Sequence, residues 1–130
     1  MGLLDPEPAL TDLRRARLEV RRTVDRLRSM PIARLKRPIA ASGAAEPHAI
    51  VDPAADTPAA RTFALASTLA DEAADREGRQ RQPLPTLPAT SAGDVLAVCA
   101  NDLIALLAGT ADPVATARLS EAMIELRRSL

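Results

Sequence analysis

The stretch Val95–Ala108 constrains this chain more than any other. It reads Val-Leu-Ala-Val-Cys-Ala-Asn-Asp-Leu-Ile-Ala-Leu-Leu-Ala, with Asn101 and Asp102 as its only polar residues. At about 100° per residue, Leu96, Cys99, Leu103, Leu106 and Leu107 fall on one stripe, and Val98, Ile104 and Ala105 extend the apolar surface beyond it. A helix apolar nearly all round is expected to be enclosed on most sides. At about 1.5 Å per residue it is too short to cross a bilayer, which takes roughly 20 apolar residues. The stretch is therefore predicted to be the central helix of a soluble core.

What can surround that helix follows from the side chains that remain. The chain has 130 residues, a length that suits one core. Hydrophobic residues make up 47% of it and aromatic residues 1%, with Phe63 alone in that class. Leu, Val, Ile and Ala must fill the interior, which favours close helix–helix packing over a sandwich of sheets. No strand alternation and no internal repeat is visible in the sequence.

Helical periodicity recurs in three further segments. Leu13, Ala16, Val20, Val24 and Leu27 step by three and four through a helix near 9–29, which Pro31 ends. Ala59, Phe63, Ala66, Leu69, Ala70 and Ala73 mark a helix over 58–77. Thr57 is its expected N-cap, Pro58 its first residue, and Gly78 the left-handed residue after it. Ala115, Leu119, Ala122, Met123, Leu126 and Leu130 line a helix over 113–129, opened by Asp112-Pro113. Ser91 with Asp94 resembles a capping box at the start of the helix over 92–108, and Gly109 closes it. The fold class expected is all-α, a four-helix bundle in a single domain, 1–130. Residues 1–8 form a tail, and 30–57 and 79–90 form long Pro-rich irregular connections, with a short helical turn at 33–36. The tight connection Gly109–Asp112 predicts that the last two helices pair as an antiparallel hairpin.

Net charge is zero but unevenly spread: residues 1–40 carry ten basic and five acidic side chains, and the remainder seven and twelve. Sixteen of the seventeen basic residues are Arg. On the first helix Arg14, Arg17, Arg21 and Arg28 lie on one side of the apolar stripe and form a candidate interaction surface. Asp12–Arg15, Glu19–Arg22 and Asp25–Arg28 are spaced to pair along the same helix. Asn101 and Asp102 interrupt the most apolar segment and are candidate buried polar residues. Asp102 is expected to meet an arginine of the first helix, Arg17 or Arg21 first.

Recognisable catalytic chemistry is not visible. His48, Asp52 and Asp56 have the spacing of one helical face, but Pro53 and Pro58 break such a helix, so no metal site is assigned. Cys99, mid-stripe and without a cationic neighbour in sequence, reads as an inert core thiol. One cysteine leaves no internal disulfide and suits a reducing compartment. No nucleophile elbow, P-loop or dinucleotide fingerprint occurs, and no cofactor is implied. The N-terminal residues lack a basic region followed by an apolar run, as a signal peptide would require. These features predict a non-catalytic, cytoplasmic helical protein that acts by protein–protein contact, an accessory or regulatory subunit, with a protein partner or self-association and no membrane. The alternatives are a nucleic-acid-associated protein using the Arg-rich helix, and a small all-α enzyme with an arginine-lined anion pocket.

Overall fold

A computed structural model describes residues 7–39 and 56–130. Residues 1–6 of the expected 1–8 tail, most of the 30–57 connection and the His48/Asp52 pair lie outside the described residues, while Glu7 and Pro8, expected in the tail, belong to the first helix. The described chain is all-α. Helix α1 spans Glu7–Arg28, α2 Ile32–Leu35, α3 Pro58–Glu77, α4 Ala92–Ala108 and α5 Pro113–Ser129, with a 3-10 turn, Ala89–Ser91, leading into α4. Four of these helices are long and build the bundle; α2 is the single short turn expected after Pro31.

Local chemistry sets most of the boundaries. Thr57 caps α3, accepting a hydrogen bond from the Ala60 amide at 3.0 Å, and Gly78 follows it at φ 67°. Asp112 caps α5 by accepting from the Ala115 amide at 3.0 Å. The expected capping box at α4 does not form. Ser91 is the last residue of the 3-10 turn, already in helical conformation, and its side chain makes no capping bond. Asp94 turns away to Arg28, whose Nη2 is 2.8 Å distant.

The packing departs from the expected hairpin. Although only Gly109–Asp112 separates them, α4 and α5 barely touch; α1 lies between, packed on α4 along one side and on α5 along the other. The left-handed residue in that connection is Ala111, at φ 48°. The far side of α4 packs on α3. Arg28 of α1 meets Asp94 at the start of α4, so these two helices are antiparallel. Arg76 at the end of α3 meets Asp112 just beyond α4, so α3 and α4 run parallel. The extended segment 79–88 makes the return journey, with Leu84 against the core.

Inside the bundle, Val20, Val24 and Leu27 of α1 pack with Leu96, Leu103, Ile104 and Leu107 of α4, Ala66 and Leu69 of α3, and Leu119 and Met123 of α5. Gly93 permits a close crossing at one end of α4: a Cβ there would sit 3.3 Å from Arg28 Cγ and 3.4 Å from Leu27 Cβ. With neighbours on only two sides among the described residues, α4 is less enclosed than its composition predicts. Val98 is 62% exposed, and Asn101, Asp102, Ala105 and Ala108 are exposed with it. The helical run is also longer than the apolar stretch. Ala89–Ala108 is 20 residues of mean hydropathy 1.5, long and apolar enough by length and composition to cross a membrane, with 44% of that window buried within the protein. A buried core helix has the same length and composition.

Candidate interaction groove

The exposed face of α1 and the exposed face of α4 meet in a groove of about 580 Å³. Arg14, Arg17, Arg21 and Arg28, the arginines singled out on one side of the α1 stripe, all line it. Their spacing explains this. Steps of three, four and seven residues keep them on one strip of helix surface, immediately beside Val20 and Val24, which line the groove where α1 turns into the core. Leu18 and Asp25 lie further round α1, and Ala97 and Asn101 form the wall on α4. The small Ala97 and the short Asn101 leave that wall low.

The four arginines are not equivalent. Arg28 closes one end, its Nε 2.9 Å and its Nη2 2.8 Å from Asp94 Oδ1. Both side chains are more than half exposed, so this pair adds little to stability. Among the described residues, Arg14, Arg17 and Arg21 have no carboxylate within salt-bridge distance. Asp25 shares the groove without pairing to Arg21 or to Arg28, so the expected Asp25–Arg28 pair is replaced by Asp94–Arg28. The expected Asp12–Arg15 pair is also absent, and only Glu19–Arg22 forms, at 3.6 Å. Like charges three and four residues apart on a helix repel by a few tenths of a kcal/mol each, so this strip carries a small uncompensated cost.

Asn101 and Asp102 are exposed, contrary to the expectation that they are buried. The physical reason is the placement of α5. Because it packs on α1, nothing among the described residues covers the outward ridge of α4. Asn101 instead joins the arginines in the groove. Asp102 points to the other side and meets neither Arg17 nor Arg21. Its field reaches Arg79, whose guanidinium is held above its ordinary range chiefly by donating hydrogen bonds to Glu77, with Asp102 a smaller contributor. Cys99 is buried, as expected, and burial first, then Asp102, pushes its thiol pKa up.

The buried polar cluster lies elsewhere, between α1 and α5. Glu19 is 6% exposed and Thr23 fully buried. Arg127 Nη2 of α5 lies 2.6 Å from Glu19 Oε2. That oxygen has no hydrogen-bond partner of acceptable angle, so the contact is an ion pair held by proximity rather than alignment. Arg127 Nη1 donates to Thr23 Oγ1 at 3.2 Å and to the Glu19 carbonyl at 3.3 Å, while Thr23 Oγ1 lies 2.8 Å from that same carbonyl. The tie between the basic helix and the rest of the chain thus exists with its signs reversed: the acid is on α1 and the base on α5. Sequence carried only a weak signal for it. On the wheel Thr23 falls about 20° and Glu19 about 60° past Ala16, just outside the edge of the apolar arc formed by Leu13, Ala16, Val20, Val24 and Leu27.

A second charged junction joins α3 to α5. Arg76 Nη2 is 2.9 Å from Asp112 Oδ2 and 3.2 Å from Glu72 Oε1, and Arg118 Nη2 is 3.5 Å from the same Glu72 oxygen. Asp112 is held below the ordinary carboxylate range, first by the Ala115 amide and then by Arg76. No family profile, characterised protein or solved structure matches this chain.

Proposed function

We propose that the protein is a non-catalytic accessory or regulatory subunit that acts by binding an acidic protein partner along the groove between α1 and α4. The observation that carries this reading is the contrast in how its charges are used. Among the described residues Arg22, Arg28, Arg61, Arg76, Arg79, Arg81, Arg118 and Arg127 reach carboxylates, whereas Arg14, Arg17 and Arg21 reach none and, unlike Arg15, Arg26, Arg34, Arg37 and Arg128, which reach none either, line one concave surface together. A guanidinium offers five donors in a planar fork suited to carboxylates, so three free forks beside an apolar floor favour an acidic polypeptide. In this reading the chain works in the cytoplasm without a membrane. The lone Cys99 thiol supports that setting, as does the packing of Leu96, Leu103 and Leu107 inside the protein.

The test is cross-linking from a photoreactive residue placed at Asn101, in cytoplasmic extract, for the native chain and for Arg14→Glu/Arg17→Glu/Arg21→Glu. An acidic protein captured by the first and lost with the second is the expected result. Capture indifferent to the charge reversal overturns the proposal. Recovery of nucleic acid instead, with binding to generic duplex DNA that falls steeply with salt, favours the alternative of phosphate binding by α1.

A further inference from the structure

We infer that the acidic partner docks as a single amphipathic helix, laid along α1 and α4 with a leucine-type stripe facing down and carboxylates along the edge facing α1. This inference rests on the reading of the groove as a contact surface for an acidic partner. Four features of the groove select a helix over an extended or disordered acidic segment.

The first is length. From Arg14 to Arg28 is about 21 Å at 1.5 Å per residue, the span of four helical turns. The second is the division of the surface into two halves. Arg14, Arg17 and Arg21 form a cationic edge on α1. Across from them, Ala97 and Asn101 form the α4 wall, and Val98, three residues before Asn101 on the same exposed side, stands 62% exposed. Leu18, 44% exposed, lines the groove on the α1 side. An occupant that satisfies both halves must be apolar on one strip and acidic on the next, which is how an amphipathic helix presents its residues.

The third feature is the low wall. Ala97 and Asn101 allow the axis of an incoming helix to come close, as small residues do wherever helices cross tightly. The fourth is the gradient of charge. Arg28 is neutralised by Asp94 and Asp25 sits beside it, so the free positive charge is confined to the half of the groove nearer the start of α1. The docked helix carries its carboxylates over Arg14–Arg21, at steps of three and four that match the arginines, and is neutral or basic over Asp25. The docked helix would give the exposed ridge of α4 the neighbour that α5, packed on α1, does not provide.

Three fluorescein-labelled synthetic probes test this against the full chain by anisotropy. One is an 18-residue peptide of Leu, Ala, Gln and Glu, with leucines at i, i+3, i+7, i+10 and i+14 and glutamates along one flank. The second has the same composition with leucines and glutamates rearranged to abolish the stripe. The third is a 20-base-pair duplex DNA. The expected result is binding of the striped peptide at least tenfold tighter than the rearranged one, with helical circular dichroism gained on binding. Asn101→Trp, which fills the groove from an exposed position, and Arg17→Glu/Arg21→Glu should each weaken that binding tenfold or more with unchanged thermal unfolding. Equal binding of the two peptides overturns the helix inference and leaves an acidic partner standing. Binding of the duplex alone overturns both readings. Failure of every probe to bind at millimolar concentration overturns the inference, as does self-association of the native chain that Arg17→Glu abolishes, since the occupant is then a second copy.

Discussion

Helix α1 faces two neighbours, and its charges are handled differently on each side. Towards α5, Glu19 and Thr23 are buried, and Arg127 reaches both of them across the seam. Towards α4, Arg14, Arg17 and Arg21 stand at the rim of a groove and reach no carboxylate among the described residues. The same helix, with the same Arg-rich composition, thus has one closed side and one open side. The difference follows from solvent. A charge taken out of water costs several kcal/mol unless a partner meets it, so the closed side had to be paired. An exposed guanidinium costs almost nothing to leave free, so the open side needs no partner within the chain. Mutations on the closed side should therefore act on stability and those on the open side on binding.

The largest effect is expected beneath both regions. Leu103 is 1% exposed in the core shared by α1, α3 and α4, and Leu103→Ala should cost about 2–5 kcal/mol in urea unfolding. A loss below about 0.5 kcal/mol would mean that α4 does not anchor the core against which the two sides of α1 are compared.

Next comes the closed seam itself. Arg127→Ala leaves the buried Glu19 carboxylate with only the exposed Arg22, 3.6 Å away, at an expected cost of about 3 kcal/mol. A double-mutant cycle with Glu19→Ala should show coupling above about 1 kcal/mol, while affinity for a groove ligand stays the same. Additive losses would erase the distinction between the seam and the groove.

The junction of α3 with α5 gives a pH-dependent version of the same comparison. The Asp112 carboxyl is held below its ordinary value of 3.8 by the Ala115 amide and by Arg76. Its contribution is fully present above the ordinary carboxylate range and is lost as pH falls through the lowered folded-state value. Asp112→Asn should flatten that part of the acid limb of thermal stability, with little change at neutral pH beyond the loss of the ion pair. An acid limb identical to that of the native chain would show that Asp112 is not held by these contacts.

The smallest effect on stability belongs to the open side. Arg14→Ala, Arg17→Ala and Arg21→Ala together should move unfolding by less than about 0.5 kcal/mol, or stabilise slightly by relieving like-charge repulsion. Asp102→Ala should be equally silent. A large destabilisation by the triple change would mean that these arginines are structural and that the two sides of α1 do not differ in kind.

Sequence by itself determined the helices and most of their ends, because those depend on residues close together in the chain. Thr57-Pro58, Gly78 and Asp112-Pro113 do locally what their side chains and backbone preferences require. It also determined that Arg14, Arg17, Arg21 and Arg28 share one strip, since helical spacing alone places them. The tertiary structure decided which faces were covered. A four-residue connection from Gly109 to Asp112 limits how far apart α4 and α5 start, not the angle at which they diverge. The insertion of α1 between them exposed Asn101 and Asp102, which the wheel had bordered with core. It also buried Glu19 and Thr23 against Arg127, more than a hundred residues away in the chain. The groove follows from the same event. Periodicity identifies an apolar face, but only the arrangement of the helices determines whether that face meets a neighbour within the chain or is left open.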